Sequence, residues 1–392
     1  MKMIFIKPGF AWIIASALMM TLFVQCKEEF DPKIETKTTG FLVVEGFING
    51  GQGSTTIHLS RSSNLKDTIL KPELNAQLNV EGEDGSIFSL SDNGNGEYGV
   101  AQLALSNSLK YRLHLRTADG KEYISDYTSV KYTPPIDSIT WQIENNGVRI
   151  YANAHDLQNE TKYYQWKYEE TWEIHSAYHS TIKYAIDPVT TNPLGVMYRY
   201  PDQSADTSIY QCWTTLSSSS IILGSTEKLT SDVVFLPVQY IEPNSEKLSV
   251  LYSIRLRQYA ISHDNYLFLQ KMKKNTEQLG TIFDPQPTEI SGNIHCLTDP
   301  GEIVIGFIEV TQEQVRRIFI YNSQVPDWNY NPGCVFVEIA NDPDSIHKYG
   351  IGLMPTLMAK TPFIGLKTFY ASTPPCVDCT LRGVHQKPDF WP

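Results

Sequence analysis

Cysteine is the residue type here with the most chemistry open to it, and the sequence holds six. Cys376-Val-Asp-Cys379 has the C-x-x-C spacing of a redox pair or half a zinc site. A zinc site of that kind needs a second C-x-x-C, and there is none; a redox pair needs a helix start to lower one thiol's pKa, and no helical pattern follows Cys376. The pair therefore reads as structural, each cysteine bonded to a different partner or the two to each other. With Cys26 set aside, Cys212, Cys296, Cys334, Cys376 and Cys379 are the disulfide candidates. Five is odd, so at least one thiol is free or pairs elsewhere.

Other spacings point to weaker chemistry. His175 and His179 are four apart, a metal pair on a helix, but the surrounding residues alternate as a strand, which separates the two by about 13 Å. Asp92-Asn93-Gly94-Asn95-Gly96-Glu97 puts oxygen donors on alternate residues, yet it lies between two strands and reads as a hairpin turn rather than a calcium loop. Asp156, Glu169 and Glu173 are the best acids for an enzyme site dispersed in sequence, and acids alternating on a strand read as a solvated face. There is no G-x-S-x-G, Walker loop, G-x-G-x-x-G after a strand, or H-E-x-x-H. The expectation is a non-enzymatic protein with no metal and no cofactor. Aromatic side chains crowd 163–172 and 198–213. Tyr164, Trp166 and Tyr168 share one strand face and read as core. The loop set Tyr198-Arg199-Tyr200-Pro201 is the candidate for contact with an outside ligand.

The elements that must position these residues begin with an address label. Lys2 and Lys7 precede fifteen uncharged residues, Phe10 to Val24, and the apolar run ends at Cys26. That run has the length of a signal peptide's apolar core and is short for a membrane span. Beyond residue 25 the chain carries 30 basic and 43 acidic residues, a net of −13, which argues against nucleic acid or anionic headgroups as partners. Residues 26–39 are polar and charged, a tether.

From Phe41 the period is two. "FLVVEGFI", "STTIHLSRS" and the runs to Tyr132, separated by Asp-Gly and Asn-Gly turns, predict a small antiparallel sandwich over 40–133. Tyr132-Thr133-Pro134-Pro135 breaks the pattern and marks a boundary. Residues 134–392 predict a larger β-rich, sandwich-like domain, with a long strand through "KYYQWKYEETWEIHSAY", a loop over 187–208, and Ser217–Ser220 as a hairpin tip. One segment, Ser262–Gly280, is helical in spacing, with a serine before it and a glycine after it. "QEQVRRIFIYN" fits strand or helix. Past Val325 only "GCVFVEIA" is clearly extended.

The lipoprotein start, "FLVVEGFI", "GKEYISDYTSVKYTPPIDSI", "LYSIRLRQYAIS", "FDPQPTEISGNIHC" and the ending "CVDCTLRGVHQKPDFWP" together resemble a family of Bacteroidetes surface or outer-membrane lipoproteins of unknown function. The resemblance covers nearly the whole chain. It implies an immunoglobulin-like first domain, a larger β-rich second one, and the company of TonB-dependent outer-membrane transporters, hence an accessory role. It brings no catalytic residue. Gln25 and Phe23 stand where a lipobox has a small residue and Leu, Val or Ile. Lys27-Glu28-Glu29 looks like the signal that sends such lipoproteins to the outer face. The resulting expectation is a chain lipidated at Cys26, facing the cell exterior beside an outer-membrane β-barrel transporter. The alternatives are a stand-alone glycan- or peptide-binding module and an enzyme with a dispersed site.

Overall fold

The structure, a computed structural model, describes residues 40–62, 71–277, 292–359 and 367–392. Cys26, Lys27, Glu28 and Glu29 lie outside the described residues, as do the tether and the closing glycine of the helical segment. Gly40–Pro392 is one compact unit, and the protein is mainly β, as its period-two patterning predicts.

The first sandwich is built from β1 (Leu42–Asn49), β2 (Thr55–Arg61), β3 (Lys71–Pro72), β4 (Gln77–Gly82), β5 (Ile87–Gly94), β6 (Glu97–Val100), β7 (Lys110–Arg116), β8 (Glu122–Ser125) and β9 (Thr128–Ser129). β5 pairs with β4 through Ile87–Leu90 and with β6 from Ser91 onward, so one strand serves both layers. Alternate residues point inward: Leu42 and Val44, Ile57 and Leu59, Leu78 and Val80, Leu113 and Leu115 are all buried in one cluster. Asp92–Glu97 is the hairpin turn. Asp92 accepts the Gly94 N–H at 2.8 Å, and Asn95 and Gly96 take positive φ, the conformation this turn demands.

The second sandwich stacks two sheets. One holds β10 (Ile136–Glu144), β11 (Gly147–His155) and β17 (Val233–Ile241); the other orders β15 (Gln211–Ser217), β12 (Tyr163–His175), β18 (Leu251–Ala260) and β22 (Gln314–Tyr321). Tyr164 and Trp166 are fully buried between the sheets, with Tyr168 half-buried beside them. β16 (Ile222–Ser225) lies against β12 on the same edge as β15, both antiparallel to it. Ser217–Ser220 is therefore not a hairpin tip but a break in one interrupted strand, fastened where Ser218 N–H donates to the Tyr168 carbonyl at 2.8 Å. β12 ends at His175, short of His179: the Ser176 N–H still donates to the Tyr210 carbonyl in register with β15, and by Tyr178 the backbone bonds the Cys376 carbonyl instead.

Residues 187–208, expected as loop, contain β14 (Pro193–Tyr198), which forms a two-stranded ribbon with β13 (Ile182–Ile186). Three later strands form a separate small sheet: β23 (Val337–Ala340), β25 (Thr368–Ser372) and β24 (Met354–Met358). Ile182, Ile339, Ile346 and Phe369 share one small core. "QEQVRRIFIYN" is strand, since β22 pairs with β18 over eight residues.

Helix α1 (His263–Glu277) follows β18. Ser262 Oγ accepts the Asn265 N–H at 3.1 Å, the cap expected of that serine. The chain then returns to the first sandwich. β19 (Ile294–Cys296) pairs antiparallel with β8, and β20 (Val304–Gly306) and β21 (Val310–Thr311) pair parallel with β1. Ile294, Cys296, Val304 and Val310 join the first core. A break at 133 thus divides the chain but not the sheets. Gly306 is needed there, because a Cβ would sit 2.3 Å from the Val44 carbonyl oxygen. No helix among the described residues is long and apolar enough to cross a membrane.

Candidate binding site

A cavity of about 260 Å³ lies where the outward faces of the two sandwiches meet under α1. Its walls follow from strand alternation. On β1, Leu42 and Val44 point into the first core, so Val43, Glu45 and Phe47 point out of it. On β12, Trp166 points into the second core, so Gln165 and Lys167 point out. Tyr259 on β18, Phe268, Leu269 and Met272 on α1, and Ile305 and Phe307 close the space. The Phe47 and Tyr259 rings meet at 4.0 Å between centroids.

The junction around the cavity is tied rather than hinged. Thr133 Oγ1 accepts the Ala260 N–H at 2.9 Å, Thr311 Oγ1 donates to the Ala260 carbonyl at 2.8 Å, and Gln258 Nε2 donates to the Pro134 carbonyl at 2.8 Å. Gln258 in turn accepts the Trp166 indole N–H at 2.8 Å, which links the junction to the second core. Glu309 is buried at the start of α1, accepting the Ser262 N–H at 2.9 Å and an Asn265 Nδ2–H at 2.8 Å. Burial pushes its carboxyl above the usual carboxylate range, against the pull of those two hydrogen bonds. Arg257 pairs with Glu313 at 3.4 Å, and Glu313 also accepts the Tyr259 hydroxyl. Lys167 is different. Its Nζ stands 6.0 Å from the Phe47 ring centroid, and no carboxylate lies within ion-pair distance among the described residues.

The residues singled out from sequence go to other places. Cys212 bonds Cys379 and Cys334 bonds Cys376, so the C-x-x-C is split between two partners, and among the described residues Cys296 is the free, buried thiol. Arg199 is a structural tie: its Nε donates to Ser180 Oγ at 2.8 Å and its Nη1 reaches Asp206 at 3.3 Å. Tyr198 and Tyr200 are exposed at 41% and 42%. They sit on the β13–β14 ribbon or just after it, with Ile186, Val189, Leu194 and Met197 also exposed.

The three acids do not converge, and each has structural partners. Asp156 accepts the N–H groups of Gln158, Glu160 and Thr161 in a turn. Glu169 pairs with Arg317 at 3.3 Å. Glu173 accepts from Gln211 Nε2 at 2.7 Å and the Trp391 indole at 3.1 Å, with the His175 ring at 2.7 Å. His179 stacks on Tyr210 at 3.7 Å and His175 meets the same ring tilted at 5.0 Å, so the two imidazoles lie closer together than an unbroken strand would put them. No group of three metal-ligating side chains is present among the described residues.

Sequence reasoning missed Lys167, Phe47 and Glu309. The one available signal was Lys167 between Trp166 and Tyr168 in sequence, which puts it on the face of β12 opposite Trp166; a charged residue there reads as solvated.

The chain belongs to the family described as Domain of unknown function (DUF4249), which its residues 27–317 match. No curated protein matches it significantly. Among solved structures it is similar to trypsin activated alpha-2-macroglobulin from Escherichia coli, at 11% identity and TM-score 0.19, over 58% of this chain and 15% of that one. It is also similar to chitinase ChiA74 from Bacillus thuringiensis, at 12% identity and TM-score 0.16, over 51% of this chain and 29% of that one. A third is the B domain of a biofilm associated protein, at 8% identity and TM-score 0.17, over 72% of this chain and 86% of that one. The chain spans less than a third of the length of the first two.

Proposed function

We propose that this chain is a lipid-anchored outer-membrane protein facing the cell exterior, a non-enzymatic accessory subunit of a TonB-dependent β-barrel transporter. The observation that carries this is the β13–β14 ribbon. It pairs with no other strand among the described residues and exposes Val189 at 86% and Met197 at 50%, beside Tyr198 and Tyr200. The ribbon's inner face packs on the small β23–β25–β24 sheet through Ile182, and large apolar side chains left in water on the rest of it are the usual mark of a protein contact. The two disulfides support export to an oxidising compartment. Cys26, following a signal-like apolar run, is the anchor. Three acyl chains, at about 0.8 kcal/mol per buried CH₂, make such attachment effectively permanent. The structural partners of Asp156, Glu169 and Glu173 support binding over catalysis.

Affinity purification of the tagged chain from gently solubilised membranes tests this. A β-barrel transporter should co-elute, and the double variant Met197→Asp, Tyr200→Asp should lose it. A preparation that never contains a barrel refutes the proposal.

The second reading, a stand-alone glycan-binding module, is favoured by an open groove lined by His175, Trp328, Asn329 and Tyr330, whose rings could stack on a sugar. Binding of the chain on a glycan array in the absence of any partner would support it.

A further inference from the structure

We propose that the cavity between β1, β12, β18 and α1 binds a small, largely apolar molecule carrying one anionic group, received by Lys167. This does not depend on membrane attachment or on a transporter partner.

The space is enclosed on several sides and its volume of about 260 Å³ is near the low end of ligand pockets, about 300–1,000 Å³. Phe47, Phe268, Leu269, Met272, Ile305 and Phe307 form its apolar part, against which a ligand would bury a hydrocarbon or aryl body. Gln165, the Ser218–Ser220 run and Asn265 add polar groups to the lining, beside the charged Glu45, Lys167 and Glu309.

Charge decides the class of ligand. The groups facing Lys167 are Glu45 from β1, Arg257 from β18 and Glu313 from the turn before β22. Arg257 and Glu313 satisfy each other. Glu309, at the α1 end of the space, is occupied by the Ser262 N–H and the Asn265 amide. Glu45 is exposed to solvent and attracts Lys167 without reaching it, and exposed charges at such range are weakly felt. Lys167 is thus the charge left over. Its side chain is accessible because it stands in the cavity, yet protein surrounds it, and this desolvation lowers its pKa below the usual lysine value. An ammonium so placed gains most from a partner of opposite charge. A carboxylate or sulfonate supplies that; a ligand cation would face the same ammonium unpaired.

The test uses the full chain in detergent, with calorimetric titration of three probes sharing one apolar body: 4-phenylbutanoate, 4-phenylbutan-1-ol and 4-phenylbutylamine. The acid should bind one to one, the alcohol at least tenfold more weakly, and the amine not measurably. Lys167→Met should bring the acid down to the alcohol's affinity and leave the alcohol unchanged. Glu45→Gln should leave the acid's affinity within about twofold, since that exposed carboxylate acts on Lys167 only weakly through solvent. Met272→Trp should block acid and alcohol together while the unfolding midpoint of the protein stays in place. The proposal is overturned if no probe binds, if the acid's advantage survives Lys167→Met, or if binding persists in Met272→Trp. None of these results bears on co-purification of a barrel, so the two proposals fail separately.

Discussion

Replacing both Cys212 and Cys379 with alanine removes a crosslink that closes 167 residues of chain. The Cys334–Cys376 bond lies inside that loop and spans 42. On the chain-entropy account, a closed loop of that length destabilises the unfolded state by about 5 kcal/mol at 25 °C. Packing adds to this, because both half-cystines are fully buried and alanine leaves their sulfur volume empty. The bond also pins the C-terminal segment onto β15. Trp213 and Val384 exchange backbone hydrogen bonds at 2.8 Å each, and Trp391 packs edge-on against Phe319 and donates to Glu173. At about 1–1.5 °C per kcal/mol for a compact unit of this size, the unfolding midpoint should fall by about 5–8 °C. Scanning calorimetry measures the fall. Hydrogen exchange should locate it, with protection lost first at Gln211–Ser217 and after residue 379. A midpoint within about 3 °C of the parent, with exchange unchanged, would refute the reasoning and reduce the bond to a passive ornament of a segment already held by packing.

Acid behaviour follows from Glu173. Burial pushes its carboxyl up, but the hydrogen bonds from His175, Trp391 and Gln211 outweigh burial and hold it below the usual carboxylate range. A depressed folded pKa contributes stability that is present above the unfolded value and lost as pH falls through the folded one. Trp391→Phe removes one donor and should cost about 1.5–3 kcal/mol at neutral pH. The loss should shrink in acid, as read by urea unfolding across pH; a cost independent of pH contradicts this. Glu309 has the opposite sign. Its raised folded pKa gives stability that is complete below the unfolded value and lost as pH rises through the folded one. Glu309→Gln, neutral at every pH, should unfold later than the parent at neutral and alkaline pH and with no advantage in acid. Equal stability of the two at pH 8 would count against a strained carboxylate at that site. Intact-mass measurement of membrane-extracted protein should give a chain that starts at Cys26 and carries acyl groups, and a chain retaining residues 1–25 contradicts the anchor.

Local pattern sufficed wherever one strand had one buried face. Tyr164 and Trp166 are two apart, on the inward face of β12, and sequence alternation places them there. From Glu170 to Ile174 the same strand is buried continuously. Alternation cannot announce that, because the cover for the outer face comes from Trp391, 218 residues away. The return of 294–311 to the first sandwich was hidden for a similar reason. β19, β20 and β21 are two or three residues long, too short for a period, and two of them pair in parallel with a strand 262 residues earlier. Disulfide pairing depended on tertiary closure, so the spacing of Cys376 and Cys379 carried no information about it. The Tyr198–Pro201 set was marked as outward-facing by composition, although β14, which carries Tyr198, was read as loop because prolines punctuate 187–208. Arg199, between the two tyrosines, turned inward to Ser180 and Asp206. The cavity drew its walls from β1, β12, β18, α1 and 305–307, and each wall residue looked locally like an ordinary outward-facing position.

The claim at the centre is that the β13–β14 ribbon touches an outer-membrane barrel. Site-specific photocrosslinking in intact cells tests it directly, with a benzophenone side chain at Met197 and a control at Glu83 in the β4–β5 hairpin of the first sandwich. The account predicts a crosslinked species from Met197 whose second component is a β-barrel transporter, and none from Glu83. A Met197 probe that captures no barrel, or captures one no better than Glu83, contradicts it.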